Sequence, residues 1–209
     1  GVPVNPRSPF VPWPDGEILV LASRSPRRAE LLRVAGIPFE VRPAGDVETE
    51  LAARLAGNGT PPEEYVVELA RAKAADVAAA VPDRLVLGAD TIVVLDGDIL
   101  EKPRDEAEAR RLLGRLSGRR HTVVSAVALT GGAAGAGCAV HESTEVTFLH
   151  LDEASIERYV ATGEPMDKAG AYGIQGYGAM MVRRIEGCYF NVMGLPLARL
   201  GELLKGVFE

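Results

Sequence analysis

Arg24, Arg27, Arg28 and Arg33 fall within one stretch of ten residues, opposed there by Glu30 alone. They surround Ser23-Arg24-Ser25-Pro26-Arg27-Arg28, which follows directly on the apolar run Ile18-Leu-Val-Leu-Ala22. Ser25 suits a helix N-cap, Pro26 the first helical position and Gly36 the stop. A helix start offers unpaired N–H groups and a partial positive charge, and serine hydroxyls and guanidinium forks around it suit a phosphate chain. The same residues also suit a solvated helix end or a phosphorylatable Ser-Pro pair. They are not a Walker loop, because no G-x-x-x-x-G-K-[ST] occurs in the chain.

Asp90, in Gly88-Ala89-Asp90-Thr91, lies between two strongly apolar runs. A carboxylate at the end of a buried strand is costly unless it is paired or holds a cation, so it reads as a metal ligand, a general base or a turn cap. Lys73 and Lys102 are surface residues by type, set apart by an alanine-rich helix and a proline-locked turn, Glu101-Lys102-Pro103. Between Gly163 and Gly178 the chain is dense in glycine, with Tyr172 and Gln175 in it and Tyr189 and Asn191 beyond. Such backbone either lets a planar ligand approach closely or makes a compact structural loop. The Gln175 amide carries both an acceptor and donors, enough to answer the N3–H and O4 edge of uracil or thymine. His121, His141 and His150 have no ligand or nucleophile pattern around them and receive no role.

The elements that must position these residues follow from periodicity. A strand at residues 18–22 leads through the serine-arginine turn into a helix ending at Gly36, and residues 39–41 alternate as another strand. Residues 44–60 read as loop with some helix. Tyr65, Val66, Leu69, Ala72 and Val77 recur at helical spacing within Pro61 to Ala80. Two strands at 85–89 and 91–95 follow, the second pairing with Ile99-Leu100 around Asp96-Gly97-Asp98. A helix at 105–116, strands at 122–129 and 145–149, a helix from Asp152 to about Ala161 and a C-terminal helix complete the order. This mixture, without strict alternation or repeat, predicts an α/β fold built on one long mixed sheet with flanking helices.

Composition narrows the function classes. The chain of 209 residues has a formal charge of -6, which argues against a broad basic surface for nucleic acid. No apolar run approaches the ~20 residues that cross a bilayer, so no membrane role is expected. The only two cysteines, Cys138 and Cys188, are far apart, which excludes a disulfide framework and fits a reducing cytoplasm. Residues 1–16, rich in proline, are expected as a poorly ordered leader, and residues 17–209 as a single domain.

Taken in order, Ser23-Arg-Ser-Pro-Arg-Arg-Ala-Glu-Leu-Leu32, Ala70-Arg-Ala-Lys-Ala74, Gly88-Ala-Asp-Thr-Ile-Val93, Glu101-Lys-Pro103, Asp167-Lys-Ala-Gly-Ala-Tyr-Gly-Ile-Gln-Gly176 and Val192-Met-Gly-Leu-Pro196 resemble the Maf family of nucleoside triphosphate pyrophosphatases. The resemblance implies an elongated fold akin to the inosine triphosphate pyrophosphatases, two lobes around a cleft, and a homodimer. It also implies cleavage of a nucleoside triphosphate to monophosphate and pyrophosphate with Mg2+ or Mn2+, and a link to arrest of septum formation, which as a purely non-enzymatic regulatory role is the alternative. Carried over by position, Asp90 is the proton acceptor, and Ser23, Arg27, Arg28, Lys73 and Lys102 hold the phosphates. The metal falls to Asp90, Glu30 and, of Glu48 and Glu50, Glu50; here the chain reads Asp46-Val-Glu-Thr-Glu50 where the family has an Asp-Glu pair. The branch with Tyr-x-Ile-Gln-Gly favours dTTP and UTP, sometimes with CTP or modified pyrimidines. Arg27, Thr91 and Gln175 are its specificity positions, and a branch acting on 7-methyl-GTP carries Glu in place of Gln175.

Overall fold

The computed structural model describes residues 7–209. Strands β1 (Leu19–Leu21), β2 (Phe39–Val41), β3 (Val86–Leu95), β4 (Asp98–Leu100), β5 (Arg120–Thr130), β6 (Cys138–Phe148) and β7 (Val182–Glu186) form one mixed sheet. Its order is β2-β1-β3-β5-β6-β7, with β4 beside β3. β1 is parallel to β2 and to β3, whereas β3 with β4 and β6 with β7 are antiparallel. The helices are α1 (Pro26–Val34), α2 (Glu48–Gly57), α3 (Pro62–Ala80), α4 (Glu106–Leu116), α5 (Glu153–Ala161), α6 (Tyr189–Met193) and α7 (Leu197–Phe208). The expected α/β class is therefore observed.

The chain divides into two compact units. The first comprises residues up to Asp90, then Ser125–Glu142 and Gly194–Glu209. β1 and the start of β3 are apolar on both faces, as covered parallel strands require, whereas the edge strand β2 (Phe39-Glu40-Val41) is half-exposed. Leu19, Val20 and Leu21 are all fully buried, as are Leu85, Val86 and Leu87. α1 starts as its sequence dictates: Pro26 takes an N-terminal position, and Ser25, extended at φ -65° and ψ 115°, accepts the Arg28 N–H on its hydroxyl. Of the expected leader, residues 1–6 lie outside the described residues. Within residues 7–16, Val11 and Trp13 are buried, and Trp13 donates its indole N–H to the Glu17 carbonyl at 2.8 Å and meets Phe208 edge-on.

The second unit comprises Thr91–Val124 and Ser143–Met193. Its core includes Ile92, Leu95, Leu113, Leu116 and Phe148, and α4 packs on α5. The hairpin closes through a two-residue turn at Asp96 and Gly97, both at positive φ (52° and 81°), the left-handed pair that matches strand twist. Arg119 grips the Asp96 carboxylate with two hydrogen bonds, 2.6 and 2.8 Å. Between α5 and β7 the glycine-dense stretch forms short 3-10 turns at Glu164–Asp167, Ala169–Ala171 and Tyr177–Met181.

Two local expectations change. The runs at 85–89 and 91–95 are one ten-residue strand, β3, so Asp90 stands in mid-strand and not at a strand end. The small residues Gly88 and Ala89 before it do not break the strand, because its backbone partners are supplied by neighbours on the sheet. The helix expected within the stretch 44–60 takes up more of it than anticipated, as α2 (Glu48–Gly57). Among the described residues no helix is long and apolar enough to cross a membrane.

Candidate active site

In the first unit, four of the residues singled out by type converge. Ser23, just beyond β1, is buried, and its hydroxyl accepts the Ser25 N–H at 3.2 Å and Arg28 Nη1 at 3.1 Å. Arg28 also donates from Nε to the Gly194 carbonyl at 2.8 Å. The guanidinium is thus held by its own helix start and by the turn before α7. Burial pushes its pKa down, against the opposing pull of the Asp90 charge.

Asp90 is 8% exposed, a carboxylate in the middle of an apolar strand. Lys73 reaches it from α3, with Nζ 2.9 Å from Asp90 Oδ1 and 3.0 Å from Glu48 Oε2. This approach depends on Gly88: a Cβ there would stand 2.3 Å from the Ala70 carbonyl oxygen and 2.7 Å from the Ala74 nitrogen. With hydrogen at that position, α3 lies directly on β3, and the residue between Ala70 and Ala74 that faces the strand's next carboxylate is Lys73. Burial raises the Asp90 pKa above the usual carboxylate range, while Lys73 and then Arg28 draw it back and Glu48 adds to the rise. Its second oxygen, Oδ2, is buried without a hydrogen-bond partner among the described residues. A buried charge with one oxygen paired and one bare is poor design for stability and good design for holding a proton or a cation.

Arg27 lies half-buried beside Arg28 on α1. Glu30 is exposed on α1 and Glu50 exposed on α2. The carboxylate at Lys73 is Glu48, so of the two glutamates the structure brings in the one not chosen. Helical geometry explains this, since the first residue of α2 and the third point about 200° apart. Among the described residues no group of three or more His, Cys, Asp or Glu side chains is disposed as a metal site. Asp90 with Glu48 nevertheless fits a hard divalent ion of the Mg2+ kind, which takes one or two carboxylates and completes its shell with water and phosphate oxygens. The bare Oδ2 is the observation that favours it.

In the second unit, Thr91 follows Asp90 on β3 and is half-buried, Lys102 is exposed after β4, and Gln175 is exposed in the glycine-dense stretch. Tyr172 and Asn191, read as possible neighbours of a planar ligand, are buried and occupied. The Tyr172 hydroxyl is 2.8 Å from His121 Nε2, and Asn191 donates to the Val123 carbonyl at 3.1 Å and to Thr144 Oγ1 at 3.0 Å. His121, given no role from the sequence, stands edge-on to both Phe148 and Tyr172 in an apolar setting, and its burial lowers its pKa to about 4. It lies near the start of β5, one residue before the strand expected at 122–129, so the sequence pattern gave no signal for it.

The sequence profile of the Maf-like protein family matches residues 18–207. The chain is 53% identical over 186 residues to a dTTP/UTP pyrophosphatase of Moorella thermoacetica, covering 89% of this chain and 93% of that one. It is 50% identical over 187 residues to a dTTP/UTP pyrophosphatase of Pelotomaculum thermopropionicum, covering 90% and 95%. Another, from Pectobacterium atrosepticum, is 52% identical over 188 residues, covering 90% and 91%. A solved structure, that of the Staphylococcus aureus Ham1 protein, aligns with 91% of this chain and 99% of its own at a TM-score of 0.46 and 15% identity, too remote to bear on the site.

Proposed function

Because the chain belongs to the Maf family, we propose that it is a nucleoside triphosphate pyrophosphatase that hydrolyses dTTP and UTP to the monophosphate and pyrophosphate. The observation that carries the chemistry is Asp90, with Oδ1 fixed by Lys73 and Oδ2 bare. Asp90 accepts the proton of the water that attacks the α-phosphorus. Burial raises its pKa and makes its carboxylate a stronger base than an exposed one, with the neighbouring cations Lys73 and Arg28 opposing that rise. Oδ2, which has no hydrogen-bond partner among the described residues, is the oxygen assigned to accept that proton.

Negative charge grows on the pyrophosphate oxygens as the α–β bond breaks, and fixed cations stabilise it without reorganising. Ser23, Arg27, Arg28 and Lys73 are proposed for this task, with the N–H groups at the start of α1, and Lys102 for the same triphosphate. A bound Mg2+ or Mn2+ supplies further charge neutralisation at the phosphates. We assign it to Asp90 and Glu48, Glu48 taking the part first given to Glu50, with Glu30 as a further candidate. Thr91, Arg27 and Gln175 are assigned to the base, Gln175 through its amide. Free nucleotide as substrate fits a cytoplasmic enzyme, and the family resemblance supports a homodimer, which light scattering in solution checks.

The deciding experiment is a panel of triphosphates, dTTP, UTP, CTP, GTP and ATP, with Mg2+ and with Mn2+, followed by detection of pyrophosphate and monophosphate. Release of both from dTTP and UTP ahead of the purines is expected. No release from either pyrimidine with either metal overturns the reading.

A further inference from the structure

Gln175 is exposed, yet the backbone on both sides of it is tied to a single pair of side chains within the same unit. Tyr159, near the end of α5, is 8% exposed. Its hydroxyl accepts the Gly173 N–H at 3.1 Å, two residues before Gln175, and hydrogen-bonds the Glu164 carboxylate. Glu164 in turn accepts the Tyr177 N–H on Oε1 at 2.9 Å and the Gly178 N–H on Oε2 at 3.1 Å, two and three residues after Gln175. Lys168 closes the base of this bracket by donating to the Glu164 carbonyl at 2.8 Å.

The glycines take their meaning from the same pair. A Cβ on Gly176 would stand 1.5 Å from Glu164 Oε1, and one on Gly178 would stand 2.3 Å from the Gly173 carbonyl and 2.9 Å from the Tyr159 hydroxyl. Backbone is stripped of side chains here so that Glu164 and Tyr159 can enter the loop.

We propose that Glu164, together with Tyr159, is a positioning residue that fixes the backbone on either side of Gln175 and so sets the preference for the pyrimidine base. This rests on the assignment of Gln175 to base recognition. Hydrogen bonds from N–H to a carboxylate are stronger than neutral ones, and two of them on one side chain define both the place and the tilt of the strand they hold. Discrimination by hydrogen bonding needs an amide whose position is already set, because a loosely held amide swings to meet the wrong base as readily as the right one.

The test is the steady-state kinetics of the full chain with Mg2+ on dTTP, UTP and GTP, for wild type, Glu164→Ala, Tyr159→Phe, Gln175→Ala and the double variant Glu164→Ala/Gln175→Ala. The dTTP-over-GTP ratio of kcat/KM is expected to fall about tenfold in Glu164→Ala and about threefold in Tyr159→Phe, the size of one or two lost hydrogen bonds. The fall comes through KM for dTTP, with kcat at saturation held within about threefold. The double variant is expected to be no less selective than Gln175→Ala, since Glu164 acts through that residue. If Glu164→Ala does not fold, Glu164→Gln, which keeps one acceptor and turns an NH2 toward the second N–H, is expected to give an intermediate ratio and decides together with Tyr159→Phe. An unchanged ratio in Tyr159→Phe and the Glu164 variant, or losses that multiply in the double variant, overturns the inference. A wild type that turns over dTTP and UTP no better than GTP brings down the functional reading itself, and the inference with it.

Discussion

The charged cluster of the first unit and the glycine-dense loop of the second solve opposite problems. Around Asp90, the side chains carry the proposed chemistry, and the backbone serves to bring α3 close enough for Lys73 to reach. Around Gln175, the backbone has to be placed, and the buried Tyr159 on α5 and the half-buried Glu164 after it do the placing. The first region keeps a charge in an apolar strand with one oxygen bare, which costs stability and leaves reactivity. The second satisfies the N–H groups on both sides of its exposed amide, which favours order. Damage to the first should appear in turnover, and damage to the second in selectivity.

The largest effect is expected from Asp90→Asn, which removes the proposed proton acceptor and nearly preserves shape. Its kcat on dTTP should fall by about a thousandfold, within the range of a lost general base, while a circular dichroism melt shows no loss of stability. A loss of fold without which activity cannot be judged would mean Asp90 is structural. Next comes Gly88→Ala, which drives a methyl group into the Ala70 carbonyl. Lifting α3 from β3 should destabilise by about 1–3 kcal/mol in urea titration and lower kcat, because Lys73 moves with its helix. Retained kcat in a destabilised Gly88→Ala would separate the helix contact from the chemistry.

Gly176→Ala tests the second region by the same kind of intrusion, aimed at the Glu164 carboxylate. It should raise KM for dTTP about tenfold with kcat little changed, so that the two alanine substitutions give contrasting kinetic signatures. Equal loss of kcat from both would erase the contrast.

The smallest effect at neutral pH is expected from His121→Gln, behind Tyr172. His121 takes a proton at 6.5 ordinarily and at about 4 when buried in the fold. Its contribution is therefore complete above 6.5 and is lost as pH falls toward 4, amounting to roughly 3 kcal/mol across that window. The variant should show a shallower decline of stability between those values in urea titrations at successive pH. A decline as steep as wild type would assign acid sensitivity to other groups.

The two regions also differed in how far they could be read in advance. The N-cap at Ser25, the helix start with its arginines, the apolar runs on either side of Asp90 and the helix carrying Lys73 followed from residue type and spacing, because capping and periodicity act over a few residues. That Glu48 and not Glu50 meets Lys73 was not legible, because the start of α2 lies in a polar stretch with no apolar stripe to phase it. In the loop, glycine density left both a ligand's close approach and a compact structural loop open, and in the structure Gly176 and Gly178 make room for Glu164 and Tyr159. Tyr172 and Asn191 are polar enough to suggest ligand contact and are in fact spent on His121, Val123 and Thr144.

By itself the sequence determined the α/β class, the short-range helix signals, the family and the set of residue types able to hold phosphates and move a proton. These depend on local sterics, on burial periodicity and on motifs in a fixed order. Only the tertiary structure decided that Asp90 stands in mid-strand with one oxygen bare, that Glu48 shares Lys73 with it, and that Glu164 and Tyr159 bracket Gln175. Each of these is a contact between segments remote or differently phased in the chain, and such contacts are set by how helices and strands pack, which no spacing along the sequence specifies.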